Sequence, residues 1–443
     1  MPNTLLTPTW ITRKALDVLH NTPGFVTNVN KEHSKEFKNK KIGSTVDVRM
    51  PPMFYVRRGP VVDIQAIQES YVPLTITSMW GIDLQYSDAE KEMSLDSYEE
   101  NIIKPAMMKL ATQIEVDILK YALLTCNQVG TYGVYPGSVG GTAGTLTDSS
   151  APRVFHSARS VLYEYCTPPG GHRLLIDTWA NTNSAAALSG LLEPGPSIAE
   201  QYTEGIIKKM SGFGFVENMN LPTVTCGNHA GYATAVVNGA GQTGAYLNTR
   251  GWTPSSPILN GGEVFCIGAS TTNLGSQTGN VYGVNPDNQI ALAYPQRFVV
   301  NSFALQGSDQ LGYTLTPTTI YSDSNGYATI PINPAIIPIG TKVSNGTVSA
   351  SPADGVAINL LSGGASESHK INIAYHPKAF TLATVDLEVP DYVKGYATST
   401  GDSGIAGRFL AGYDLRNGQY INRFDVMGGA QLLRWQFAVR MAE

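Results

Sequence analysis

An α+β fold carrying an all-β insertion is predicted by three observations. A helical pattern of apolar residues runs from Ile102 to Tyr121, short β-prone runs separated by turn dipeptides fill residues 239–369, and alternating runs at 45–86 and at the C-terminal end supply further strands. At 443 residues the chain exceeds one ordinary domain, so several structural units should share it. Charged residues make up 15% of the chain, against 45 glycines and 26 prolines. That balance suits a loop-rich protein whose polar surface is partly covered by other subunits rather than by water.

The first forty residues combine a short helical pattern with basic charge. Ile11, Ala15, Leu16 and Leu19 recur at helical spacing, and Asn21-Thr22-Pro23-Gly24 ends that helix. Lys31, Lys35, Lys38, Lys40 and Lys41 follow, balanced by Glu32 and Glu36. Such a run reads either as a solvated face or as an arm facing a polyanion.

From Thr45 to Tyr86 the pattern is extended. Val46, Val48 and Met50 alternate with Asp47 and Arg49, and Val72, Leu74, Ile76 and Ser78 form a second alternating run. Arms of about ten residues at about 3.3 Å each would give a hairpin on the order of 30 Å long. A hairpin of that kind is marginal alone and needs a surface to lie on.

Ser94-Leu95-Asp96-Ser97 offers N-cap candidates for the long helix, and Pro105 predicts a bend or a late start. A second amphipathic helix is predicted over Pro152 to Tyr165, with helical fragments continuing to Met210. Within 239–369, Val264-Phe265-Cys266-Ile267, Arg297-Phe298-Val299-Val300, Ala328 to Ile332 and Val356 to Leu360 read as strands. Asn325-Gly326, Asn345-Gly346 and Asp354-Gly355 supply turns between them. The expected result is a barrel or sandwich. At the end of the chain, Ile421 to Val426, a Gly428-Gly429 turn and the alternation from Leu433 to Met441 predict a closing hairpin with one buried face.

Several function classes are disfavoured. The net charge of −5 gives no global attraction to nucleic acid, so any DNA contact must be local. The start of the chain has no basic segment followed by a long apolar stretch, which predicts neither export nor a membrane span. Cys126, Cys166, Cys226 and Cys266 lie far apart with no Cys-x-x-Cys pair, so buried reduced thiols are expected rather than zinc or disulfides. His20, His33, His156, His172, His229, His369 and His376 show no metalloprotease spacing and are expected to be surface or structural residues. Gly401-Asp402-Ser403-Gly404 is similar to a serine-protease nucleophile motif, but Ile405 replaces the usual following glycine and no histidine motif accompanies it. Gly137, Gly140, Gly141 and Gly144 lack the Lys-Ser/Thr of a phosphate loop, and Glu99-Glu100 reads as a helix N-terminal pair.

Four segments taken together resemble a known family. They are Asn3-Thr4-Leu5-Leu6-Thr7-Pro8-Thr9-Trp10-Ile11, Asn372-Ile373-Ala374-Tyr375-His376-Pro377-Lys378-Ala379-Phe380, Asp386-Leu387-Glu388-Val389-Pro390 and the run from Tyr413 to Arg440. They look like the tailed-bacteriophage major capsid (coat) proteins, in the podovirus branch whose subunit carries an inserted β domain. The resemblance implies an N-terminal arm over 1–44 and an extended hairpin loop over 45–86. It also implies peripheral and axial domains over 87–238 and 370–443, and the inserted β domain over 239–369. A subunit of this kind assembles into hexamers and pentamers of an icosahedral head enclosing double-stranded DNA, with no catalysis and no cofactor or metal. Its implied partners are other copies of itself, a scaffolding protein, a portal protein and, in some heads, a decoration protein. DNA contact would be weak and non-specific, no membrane is involved, and the place is the virion, with assembly in the host cytoplasm.

Two sets of contacts are expected on this reading. Arg57 and Arg58 near the hairpin tip would meet acidic groups of a neighbour, with Glu90, Glu92, Glu99 and Glu100 as candidates. Lys35, Lys38, Lys40 and Lys41 would face the interior, toward DNA or scaffold. The alternatives are an encapsulin-like compartment shell, a surface adhesin and a serine hydrolase.

Overall fold

The structure, a computed structural model, describes residues 24–38, 45–51, 54, 56, 59–62, 64, 69–76, 78–87, 102–130, 151–188, 209–268, 281–308, 312–340, 345–390, 394–399 and 405–442. Strands dominate, with three α-helices among the described residues, Lys104–Leu119, Ala151–Glu164 and Thr178–Leu188.

The long helix starts at Lys104 because Pro105 sits in its first turn, where a missing N–H costs nothing. It passes into a 3-10 segment, Lys120–Leu124. Met107, Leu110, Ala111, Ile114 and Ile118 line its buried stripe and pack with Phe25, Trp80, Leu382, Phe409, Phe424 and Val426. Each fully buried aliphatic side chain of this kind contributes roughly 1.5–3 kcal/mol. Most of these partners belong to a five-stranded sheet. Its path runs Phe380–Val385, Gln419–Leu432, Ala406–Asp414, Lys394–Ser399, and Ser78–Ser87 also pairs with Gln419–Leu432. Within that sheet the fully buried Asp425 accepts from Arg408 Nη2 and Arg423 Nε, both at 2.7 Å. Two guanidinium groups on one carboxylate satisfy a charge that could not be buried alone.

A second sheet follows the order Gln128–Val129, Ala438–Ala442, Ser368–Tyr375, Arg173–Ile176, Phe213–Glu217, Lys209–Met210, with Thr223–Thr225 pairing on Ser368–Tyr375. The helix Ala151–Glu164 presents Val154, Phe155, Ala158, Val161 and Leu162 to Leu174, Ile176, Phe213, Ala374 and Val439 of this sheet.

Residues 235–360 hold a core of their own. A six-stranded sheet orders Ile358–Leu360, Val264–Ile267, Arg297–Val300, Tyr327–Ile336, Gly244–Arg250 and Val236–Val237. Val237, Leu247, Trp252, Phe265, Ile267, Phe298, Val300, Ile330 and Ile332 pack together beneath it. The strands Val264–Ile267 and Arg297–Val300 are buried at all four positions, which is why their sequences are nearly continuous apolar runs without alternation.

The arm is anchored on this chain's own body over the residues described. The Asn30 N–H donates to the Pro377 and Phe380 carbonyls, the Leu382 N–H donates to the Asn30 carbonyl, and the Phe25 ring meets Tyr375 and Phe380 edge-on.

Several sequence expectations differ from the structure. Within the stretch expected to continue as helical fragments to Met210, Arg173–Ile176 and Lys209–Met210 are strands, because both join the second sheet. The hairpin arms are the six-residue strands Thr45–Met50 and Ser70–Thr75, paired from Thr45↔Thr75 to Met50↔Ser70, not arms of about ten. The following strand, Ser78–Ser87, leaves the hairpin for the five-stranded sheet. Gly428-Gly429 is not a turn. It lies inside the strand Gln419–Leu432, where a Cβ on Gly429 would stand 2.0 Å from the Thr75 carbonyl oxygen. The residues are glycine because another backbone crosses at contact distance. Arg440, placed on the outer face by the alternation, is fully buried in a strand flanked on both sides. Its Nη1 and Nη2 donate to the Gly262 and Leu123 carbonyls at 2.7 and 2.8 Å.

Candidate assembly interface

The hairpin joins a buried root to an exposed apolar tip. At the root, Val46, Val48, Leu74 and Ile76 point to one face, as alternation requires, and pack on Phe37, Ala383 and Leu433. The antiparallel register puts Val46 opposite Leu74 and Val48 opposite Val72, so the apolar face is continuous across both strands. Beyond the root the apolar residues lose their cover. Val56 is 90% exposed, Val61 80% and Ile64 86%, with Phe54, Val62 and Tyr71 also exposed. Between the two strands, the described loop residues Phe54, Val56, Val61, Val62 and Ile64 are thus apolar and exposed. Scattered exposed apolar residues are ordinary, whereas several on one loop make a candidate contact surface. A groove of about 570 Å³ lies under the root, lined by Phe54, Val72, Tyr165, Leu433, Trp435 and Phe437 among others.

The electrostatic candidates fall differently. Arg57, Arg58, Glu90, Glu92, Glu99 and Glu100 lie outside the described residues, as do Lys40 and Lys41. Lys35 and Lys38 lie in the 3-10 segment Glu32–Lys38, with only their backbone described. Gly401-Asp402-Ser403-Gly404, Ser94-Leu95-Asp96-Ser97 and the glycines Gly137, Gly140, Gly141 and Gly144 are likewise outside the described residues. Lys31, at the start of the basic run, is partly buried against the body, and desolvation lowers its ammonium to about 8. That end of the run is not a freely solvated face.

The exposure of this apolar tip is not legible in the sequence. Val61-Val62 and Ile64 carried the signal, but Arg57-Arg58 and Asp63 beside them made the loop read as polar. No described helix is long and apolar enough to cross a membrane.

No protein-family model matches the chain, and no curated protein does. Among solved structures it is similar to a chain of Mycobacterium phage Che8, at 12% identity and a TM-score of 0.42, covering 94% of this chain and 90% of that one. It is also similar to the capsid structure of the cyanophage P-SCSP1u, at 9% identity and a TM-score of 0.40, covering 90% and 83%. A third likeness is to the asymmetric unit of the bacteriophage PhiM1 mature capsid, at 8% identity and a TM-score of 0.40, covering 91% and 82%.

Proposed function

We propose that this chain is a tailed-phage major capsid protein, a structural subunit rather than an enzyme, which builds hexamers and pentamers of an icosahedral head around double-stranded DNA. The observation that carries this reading is the hairpin. Its root is fixed in the subunit's own core, and its tip holds Val56, Val61, Val62 and Ile64 in solvent. Such a tip gains its burial energy from the body of a neighbouring copy, so folding and assembly use separate parts of one element. The sequence resemblance at both ends of the chain supports the same reading.

Residues 239–369 serve in this scheme as an inserted unit that stabilises the subunit and contacts neighbours. Arg57 and Arg58 would add charge pairing to the apolar docking, with Glu90, Glu92, Glu99 and Glu100 of the neighbour as partners. Lys35, Lys38, Lys40 and Lys41 would face scaffold during assembly and DNA afterwards, through salt-dependent contacts with no sequence preference. A portal protein would occupy one vertex. Deleting Arg57 to Gln65 tests the central element: electron microscopy should find no shells and sedimentation should find soluble subunits. Normal shells from that deletion would remove the hairpin from assembly. Replacing the four lysines with glutamine should lower scaffold retention and DNA content, and wild-type values for both would refute an interior electrostatic role.

A further inference from the structure

We infer that Cys226, His229 and Glu263 form a buried site for a divalent metal ion, with zinc as the ion its donors suit. The Cys226 Sγ, a His229 ring nitrogen and a Glu263 carboxylate oxygen lie within 4.8 Å of one another. All three are withdrawn from solvent: Cys226 is 2% exposed, Glu263 0%, and the His229 side chain 7%. The inference does not depend on the capsid reading.

The local chain builds this cluster. Cys226-Gly227-Asn228-His229 places a thiol and an imidazole three residues apart, so a single turn of backbone presents both. That turn runs against the strand Pro257–Asn260, and a Cβ on Gly227 would stand 2.5 Å from the Ile258 carbonyl oxygen. Only glycine allows so close a passage. The His229 N–H donates to the same carbonyl at 2.9 Å, which locks the far end of the turn. Glu263 enters from the loop after that strand. Its Oε1 accepts from the Gly227 N–H at 2.7 Å and the Asn260 N–H at 2.6 Å, and its Oε2 faces His229 Nε2 at 2.6 Å. The carboxylate is therefore oriented by backbone, with one oxygen left for the cluster. The Cys226 thiol donates to the Ser362 carbonyl at 3.0 Å, which fixes the sulfur beside the cluster.

Charge and donor type select the ion. A thiolate and a carboxylate together cancel two positive charges, so a divalent ion here is buried as a neutral unit. A sulfur, an imidazole nitrogen and a carboxylate oxygen are the ligands zinc takes in tetrahedral sites, at roughly 2.3, 2.0–2.1 and 2.0–2.2 Å. Binding releases the Cys226 proton to solvent and draws sulfur inward, while the proton held between Nε2 and Oε2 leaves Nε2 as the neutral imidazole takes its Nδ1–H tautomer, and the two atoms part to admit the ion.

The place in the fold gives the site its consequence. Directly before Cys226, Thr223–Thr225 pairs with Ser368 to Lys370, where the chain enters and leaves the region with the separate β core. Glu263 belongs to that region. A metal here fastens the crossing point, so its removal loosens the β core's attachment to the rest of the chain.

The test uses the full chain, purified under reducing conditions from zinc-supplemented medium. Expected are about one zinc per chain, a thiolate-to-cobalt charge-transfer absorption when cobalt replaces zinc, and a lower melting temperature after chelation. Cys226→Ser and His229→Ala should lose the zinc, and Cys166→Ser should keep it. The cobalt band is read on the unmodified protein, so the result stands even where a variant folds poorly. Zinc far below stoichiometry with no charge-transfer band, or full zinc retention in Cys226→Ser, would overturn the site.

Discussion

The Trp80 indole N–H donates to the Asp117 carboxylate at 2.9 Å, in a contact where both residues are buried. Trp80 lies in the strand that leaves the hairpin, and Asp117 lies in the long helix, so this bond ties the hairpin's exit to the main core. Asp117 also accepts from Gln113 and Lys120, each at 3.3 Å. Trp80→Phe should lower stability by about 1.5–3 kcal/mol, the range for a hydrogen bond to a charged group, with the remaining partners favouring the lower end. Urea unfolding of the subunit measures it. An unchanged midpoint would show that the bond adds nothing beyond ring packing.

Glu115 holds the arm. The Phe25 N–H donates to its Oε1 at 2.8 Å, and burial raises the carboxyl above its ordinary value of 4.5 despite the hydrogen bonds from Phe25, Asn218 and Asn220. A raised folded-state value means that the folded chain binds this proton more tightly than the unfolded chain. The stability from this group is therefore fully present below 4.5 and is lost as pH rises through the folded value. Glu115→Gln keeps an acceptor without the charge. Its stability relative to wild type should increase from acid to neutral pH, as read by denaturant midpoints at each pH. A constant difference would contradict burial as the dominant cause.

His172 and His376 face each other with ring centroids 5.6 Å apart. Burial, His172, Lys378 and Arg434 lower His376 to about 4, while burial and Arg159 lower His172. The Lys378 N–H donates to His376 Nδ1 at 3.2 Å, which requires that nitrogen to be unprotonated. Between pH 6.5 and about 4 the unfolded chain takes up protons that the folded chain refuses, so stability falls as pH falls through that window. His376→Gln should flatten the acid side of a melting-temperature profile while changing the neutral side less. An acid limb as steep as wild type would assign the loss to other groups.

The helices and the buried strands were the legible part of the sequence. Pro105 announced the start of the long helix, and the apolar-rich runs at 264–267 and 297–300 announced strands, which the structure buries at every position. What failed had a non-local cause. Gly428-Gly429 has the local chemistry of a turn, yet the constraint is a carbonyl at Thr75, more than three hundred residues away. Arg440 alternates as an outward residue, but the carbonyls that receive it come from Leu123 and Gly262. Cys226 and His229 carry neither a paired-cysteine nor a paired-histidine spacing, and Glu263 joins them only in space. The charged candidates at 57–58 and 90–100 remain expectations, whereas the apolar tip beside Arg57-Arg58 emerged from exposure.

The claim that the hairpin tip is the assembly element is tested most directly by charging it without shortening it. The variant Val61→Asp, Val62→Asp, Ile64→Asp alters exposed positions and leaves the root of Val46, Val48, Leu74 and Ile76 intact. Sedimentation velocity with electron microscopy, run beside wild type under the same assembly conditions, reads the outcome. The predicted result is a folded subunit with a wild-type melting temperature that forms no closed shells. Shells of wild-type size and yield from the triple variant would contradict docking of this tip on a neighbouring copy.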